Sequence, residues 1–329
     1  MQSFEWVDAT SVEQAVQLLG DPAANGFVMA KAGGIDLLDL MKEGILTPTR
    51  LINLKTIPGL DEIKVRPSGE LEIGALTTIA HINSDHRIRE QYPALSEAAG
   101  HAATPQVRNA GTIGGNLLQK PRCWYFRNEN FHRGEIVHGD PALSGQNQYH
   151  AIFDNRTTSM VQASTPATAL IAYNAAVELT GQHGKKRIVP VREFFLPPDF
   201  TTGRVTAIEP GEVLTQVVLP PLPQGTRSAY HKQTERDSYD WPICDVAVVL
   251  EMQGKAVRTA AIAMGWVAPT PRRASESEWI LAGQNVNEER AAEAARAAVA
   301  GATPLSKNGY KIPILEAVVR RTILQAATA

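Results

Sequence analysis

The chain has 329 residues, 43% of them hydrophobic, and a formal net charge of −2. That length exceeds what one core usually serves, so two domains are expected, and a pI near 6.5 with only short basic runs argues against a nucleic-acid or anionic-membrane partner. No window approaches the roughly eighteen apolar residues of a membrane span, and MQSFEWVDATSVEQ lacks the basic and apolar regions of a secretory signal, which leaves the cytoplasm as the default location.

In chain order, Ser11-Val-Glu-Gln14 resembles a capping box opening a short helix that ends at Gly20. FVMAKA then reads as a buried strand, and Ala32-Gly33-Gly34 leads into a helix beginning at Asp36 and stopped by Gly44 and Pro48. RLINL follows as a strand, EIKVRPSGELEIGAL as a hairpin around Pro67-Ser68-Gly69, and Thr77-Thr78 as caps for a helix through His81. An Ala-rich helix runs from about Pro93 to His101, so the first hundred residues read as small βα units with mixed strands. QVRNAGTIGGNLLQ carries a second glycine cluster, and ALIAYNAAVELTGQHGKKRIVPVREFF reads as a strand, a turn and a strand. EVLTQVVLPPLPQG is a strand ending in a proline-rich linker; DVAVVLEMQGKAVRTAAIAMGWV is a hairpin. Two helices follow, Asn287 to about Gly301 and about Pro313 to Ala327, which gives the second half an α+β pattern.

AGGID at 32–36 and GTIGGN at 111–116 are the residues closest to chemistry. Paired glycines let backbone N–H groups approach a ligand, and a helix start adds unpaired donors. A Gly-Gly between strand and helix is more often a plain turn, but two such turns together suit a diphosphate, which carries more charge than one turn easily satisfies. Neither matches G-x-G-x-x-G or a P-loop, which counts against a Rossmann NAD site or an NTPase.

AGG-x-D-L-L near residue 32, IGA-x-T at 73–77, TIGGN at 112–116 and KQTERDSYDWPICDVAV from Lys232, with REFFLPP at 192–198 and GEVLTQVVLPP at 211–221, resemble the FAD-binding medium subunit of the xanthine dehydrogenase, carbon monoxide dehydrogenase and aldehyde oxidoreductase family of molybdenum hydroxylases. The resemblance runs in order over nearly the whole chain. It implies an α+β protein: a two-lobed FAD-binding domain of the vanillyl-alcohol-oxidase (PCMH) type over 1–222, with an insertion at about 121–160, then a smaller α+β C-terminal domain over 223–329 like that of the CO dehydrogenase flavoprotein. It implies FAD on this chain, a molybdenum cofactor on a large partner and two [2Fe-2S] clusters on a small one. This chain would be an electron-transfer subunit of a heteromeric oxidoreductase, with substrate oxidation on a partner and no catalytic residue of its own. By the same resemblance, Lys31, Ala32, Gly33, Gly34, Ile35, Asp36 and Leu37, together with Ala75, Thr77, Gly111, Thr112, Ile113, Gly114, Gly115, Asn116 and Gln119, would hold the FAD. Lys232, Arg236, Ser238 and Tyr239 would approach its ring from the second domain.

Two departures stand out. The family usually has Thr where this chain has Ile35, a loss of about one hydrogen bond, roughly 1 kcal/mol of FAD retention. The segment from Arg122 to Phe153 resembles an insertion that carries four cysteines for a [4Fe-4S] cluster in a subset of the family. Only Cys123 remains; the other expected positions fall near Arg133, Asp140-Pro141 and Thr158-Ser159, so no such cluster is expected on this chain. His132, His138 and His150 accompany Cys123 without the close ligand pairs usual for zinc, so no metal is expected, and Cys123 and Cys244 read as buried thiols. No G-x-S-x-G elbow anchors hydrolase chemistry, and Trp124-Tyr125-Phe126 suits a core insertion better than a ligand platform. The competing readings are a self-contained flavin oxidoreductase, with Tyr239 and Asp240 near the right stretch, and a flavin-free scaffold subunit of the same complex.

Overall fold

Three sheets organise the computed structural model, which describes residues 1–21, 26–128, 140–156, 158–197 and 204–329. The first is small and parallel, with β1 (Glu5–Asp8) and β2 (Val28–Lys31) flanking β3 (Arg50–Asn53). Its crossovers are α1 (Val12–Leu19), capped by the Ser11 hydroxyl that accepts from Gln14 N–H, and α2 (Ile35–Lys42), which starts at Gly34 in the left-handed region, φ 79°. Glycine takes that conformation without a Cβ penalty, so the chain turns from strand to helix across Ala32, Gly33 and Gly34.

The second sheet is antiparallel, β4 (Ile63–Val65), β5 (Leu71–Gly74), β8 (Val213–Leu219), β6 (Ala176–Thr180) and β7 (Lys186–Pro190) in spatial order. It packs with the short helices α3 (Ile79–Ser84), α4 (His86–Gln91) and α5 (Pro93–Gly100) in one core that includes Ile82, Ile88, Leu95 and Val217. Thr78 caps α3 and Thr104 caps α6 (Pro105–Ala110), each hydroxyl accepting an otherwise unpaired N–H. Thr112 likewise caps α7 (Ile113–Leu117), so the TIGGN glycines lie in a helical turn.

One expected strand is corrected. Thr165–Ala172, which contains the ALIA of the expected strand, is helix α8, fully buried, with Ser164 as its cap and Pro166 in its first turn. An apolar run buried on every side has no period to distinguish strand from helix. The strand begins four residues later, and Val191–Phe194 forms the one-turn helix α9.

The third sheet, β12 (Arg272–Arg273), β11 (Ala256–Gly265), β10 (Cys244–Gln253) and β9 (Thr226–Gln233) in order, is antiparallel. One face is covered by α10 (Ser275–Leu281), α11 (Glu288–Val299) and α12 (Lys311–Thr328), around Val246, Ile262, Leu315 and Val319. The other face meets the first half of the molecule: Tyr230, Ala247 and Ala263 share a core with Leu95 and Ala169. Asp245, fully buried here, accepts from Tyr230 Oη at 2.7 Å and from Thr168 Oγ1 on α8 at 3.1 Å.

Candidate functional site

The motifs quoted from the sequence meet in space through their backbones. Ile113 N–H donates to Thr77 O and Gly114 N–H to Ala75 O, both at 2.9 Å, so IGALT and TIGGN lie side by side. A Cβ on Gly114 would stand 3.0 Å from Ala75. The first turn closes on the second: a Cβ on Gly33 would stand 2.2 Å from Ala110 O, a distance no side chain tolerates. The glycines are therefore required by the approach of one turn to the other, and the gap they frame opens into a cavity of about 390 Å³.

That cavity is walled by both halves of the molecule. Lys31 to Leu37, Gly111, Thr112 and Gly114 to Asn116 contribute from the first, and Lys232, Trp241, Pro242 and Trp266 from the second. Ile35, Asp36 and Leu37 occupy the first turn of α2, where N–H groups have no partner within the helix. Asn116 is held by Ser164 Oγ, which donates to its Oδ1 at 2.5 Å, and Gln119 Nε2 donates to Asn116 O at 2.8 Å.

The charged lining suits an anion. Lys31, Lys120, Lys232, Arg108 and Arg122 face the cavity, and both carboxylates in its wall are already paired. Asp36 accepts from Lys120 N–H at 2.9 Å and from Arg127 Nη2 at 2.7 Å, with Arg122 Nη2 at 3.2 Å; Glu212 accepts from Arg187 Nε at 2.7 Å. Burial lowers the pKa of Lys31, Lys120, Lys232 and Arg122, the desolvation signature that an incoming diphosphate would reverse. Close backbone approach, helix-start donors and a lining with more cations than carboxylates together fit a dinucleotide such as FAD.

The expected site residues divide. Lys31, Ala32, Gly33, Gly34, Ile35, Asp36, Leu37, Ala75, Gly111, Thr112, Gly114, Gly115, Asn116, Gln119 and Lys232 line the one cavity. Thr77 and Ile113 do not: both are fully buried behind it, with Thr77 Oγ1 lacking a partner. Arg236 and Ser238 are exposed and outside the wall, because the strand ends at Gln233 and the chain turns outward. Tyr239, 55% exposed, lines a neighbouring cavity, with Arg108 over its ring at 5.9 Å.

Sequence reading missed His101, Ala102 and Ala103, which the cavity includes. Arg108 Nη1 donates to Ala102 O and Ala103 O, Lys232 Nζ donates to His101 O, and Ala103 has φ 47°. No residue type announces a backbone segment shaped this way. Trp241 and Trp266 were also missed, since only the folding of the second half over the first brings them there.

In the insertion, His132, Arg133 and His138 lie outside the described residues. The other expected cluster positions have new partners. Asp140 Oδ2 accepts from Ser159 N–H at 2.5 Å and from Ser159 Oγ at 2.6 Å, and Cys123 Sγ is 3.2 Å from His150 Nε2. Burial pushes the Cys123 thiol up to about 11 and His150 down to about 4, so both are neutral near pH 7. Among the described residues no three His, Cys, Asp or Glu side chains converge as a metal site would require.

Comparison with known proteins agrees over the whole chain. Residues 2–222 match the family described as the FAD binding domain in molybdopterin dehydrogenase, and 229–326 the CO dehydrogenase flavoprotein C-terminal domain. The chain is 33% identical over 299 residues to the aldehyde oxidoreductase FAD-binding subunit PaoB of Escherichia coli (strain K12), covering 90% of each. It is 32% identical to the carbon monoxide dehydrogenase medium chain of Hydrogenophaga pseudoflava, covering 97% of this chain and 96% of that one. A solved structure of the Hydrogenophaga pseudoflava carbon monoxide dehydrogenase lacking the Mo-pyranopterin moiety superposes with a TM-score of 0.77 at 31% identity, covering 99% of this chain and 98% of that chain. No helix among the described residues is long and apolar enough to cross a membrane. The chain belongs to the FAD-binding medium subunits of the molybdenum hydroxylases, the family of the carbon monoxide dehydrogenase, aldehyde oxidoreductase and xanthine dehydrogenase complexes.

Proposed function

We propose that this chain binds one FAD in the cavity between its halves and relays electrons from [2Fe-2S] clusters on a small partner to an external acceptor, while a large molybdenum-cofactor partner oxidises the substrate. The observation that carries the reading is the convergence of both glycine motifs and the second domain on one cavity whose carboxylates are already paired. The backbone of Gly33 to Leu37 and of Gly111 to Asn116 would hold the diphosphate and ribityl chain. Lys232, Trp241 and Trp266 would face the ring system from the other side. Bound FAD supplies the capacity to take up electrons and release them singly or in pairs. The chain's own residues orient it, exclude water around it and balance its charge. We place the domains at 1–222 and 223–329, and the complex in the cytoplasm.

The test is the absorbance spectrum of the purified complex, with acid-released flavin and iron counted per subunit. One FAD per chain is expected, with about four irons on a small partner as two [2Fe-2S] clusters require. Gly33→Ala, which drives a Cβ against Ala110 O, should lose most of that flavin while leaving the iron unchanged. A wild-type complex without flavin would sink the proposal.

A further inference from the structure

Beside the first cavity lies a second, of about 720 Å³, and the two share Arg122, Trp241, Pro242 and Trp266 as a common wall. Four of its lining side chains present aromatic surface that a ligand can reach: Trp124, Tyr149, Tyr239 and Trp241 are each between 41% and 59% exposed. Trp124, which the sequence suited to the core, is thus at the surface. Single apolar residues at a surface are ordinary, but four large rings gathered round one cavity mark a site of interaction.

Two of the rings are held in place before any ligand arrives. Trp124 and Tyr149 meet edge to face at 5.6 Å. Trp124 Nε1 donates to Gln146 O at 3.0 Å, and Tyr149 Oη donates to Glu235 Oε1 at 2.6 Å. Rings fixed in this way lose little freedom when something packs against them.

The charges in the wall select the ligand. Arg122, Arg127, Glu235 and Asp240 line the cavity, and the two arginines are already engaged. Arg127 Nη2 lies 2.7 Å from Asp36 Oδ1 and its Nη1 3.2 Å from Asp39 Oδ2; Arg122 reaches the same two carboxylates at 3.2 Å and 3.8 Å. Neither aspartate lines this cavity, so two arginines are balanced by two carboxylates behind the wall. On the cavity side, Glu235 meets the neutral Tyr149 hydroxyl, and Asp240 has no hydrogen-bond or ion-pair partner among the described residues. Lys232, whose charge reaches Asp240, lies in the wall of the first cavity and donates to His101 O at 2.9 Å.

Aromatic faces and carboxylates without a cation opposite both attract positive charge. Arg122 shows the preference within the wall itself, its guanidinium lying 5.0 Å from the centroid of Trp241. An anion entering the same space would meet two carboxylates and no arginine without a partner.

We propose that this second cavity binds an organic cation, a quaternary or protonated amine on an aromatic body, with its charge beside Glu235 and Asp240 and its ring against Trp124 and Tyr149. The site is separate from the FAD cavity and does not depend on the electron-relay reading.

The test is calorimetric titration of the full-length, FAD-loaded chain with benzyltrimethylammonium, whose charge does not titrate, and in parallel with phenylmethanesulfonate, a similar body of opposite charge. One saturable site per chain is expected for the cation and none for the sulfonate. Affinity for the cation should fall about fivefold in Trp124→Leu and about threefold in Asp240→Asn, and stay unchanged in Trp279→Phe, which alters an exposed ring outside the cavity. If Trp124→Leu fails to fold, Asp240→Asn, which keeps the side-chain shape, decides. No saturable binding of the cation, equal binding of the sulfonate, or undiminished affinity in Asp240→Asn overturns the proposal. Binding that appears only after FAD is stripped also overturns it, by placing the cation in the first cavity.

Discussion

Ile35 is the first helical residue of α2, lines the cavity and is 39% exposed. Its side chain belongs to none of the buried hydrophobic clusters. Ile35→Thr should therefore fold normally and restore one hydroxyl toward a phosphate, tightening FAD by about 1 kcal/mol, roughly fivefold. Flavin loss during dialysis measures it, and unchanged or faster loss would show that position 35 does not face the diphosphate. Gly33 and Gly34 just before it were legible in the sequence as a paired-glycine turn between strand and helix. Arg236 and Ser238 were misplaced because a motif in one strand does not reveal where the following loop turns.

Among the elements, α2 and the segment 120–127 form one clasp. Asp36, with its side chain 14% exposed, holds Arg127 and Arg122, whose side chains are 11% and 15% exposed, and caps the Lys120 N–H. Removing Asp36 leaves Arg127 and Arg122 only Asp39, whose side chain is 52% exposed, so Asp36→Ala should cost about 3 kcal/mol in urea unfolding, with proteolysis appearing first between Lys120 and Arg127. Asp36→Asn, which keeps an acceptor for Lys120 N–H, should lose less; equal losses would mean the backbone bond matters more than the charge. Most elements were readable in advance because their caps are local: Ser11, Thr78 and Asn287 each accept from the N–H three residues on. Helix α8 was misread because its uniformly apolar sequence is buried on all sides and its signal, Ser164-Thr165-Pro166, lies just upstream of the segment read as a strand.

For the molecule as a whole, Asp245 joins the halves at a cost that depends on pH. Burial raises its pKa from the ordinary carboxylate value to about 7. The folded state therefore holds this proton between about pH 4 and pH 7 while the unfolded chain has released it. Stability is highest below that window and falls as pH rises through it, by about 1.4 kcal/mol per unit for one group. Asp245→Asn should flatten that falling limb and leave the variant more stable than wild type at pH 8, as read from urea midpoints at pH 4.5, 6 and 8. A parallel decline in both proteins would assign the slope to another group. The order of an FAD-binding domain and a smaller C-terminal domain could be read from the chain, as could the two glycine turns; the joint between the halves could not, because Thr168, Tyr230, Asp245 and Gly265 meet only after folding.

Lys311 gives this arrangement a direction in time. Its ammonium grips the carbonyl of His150, 161 positions earlier in the chain, and that of Trp266, 45 positions earlier. Contacts of such long sequence separation form late, because the loops between them must close first. The glycine turns can assemble as soon as the N-terminal half is synthesised. Trp266, which lines the cavity, gains the Lys311 contact to its carbonyl only once the start of α12 has emerged.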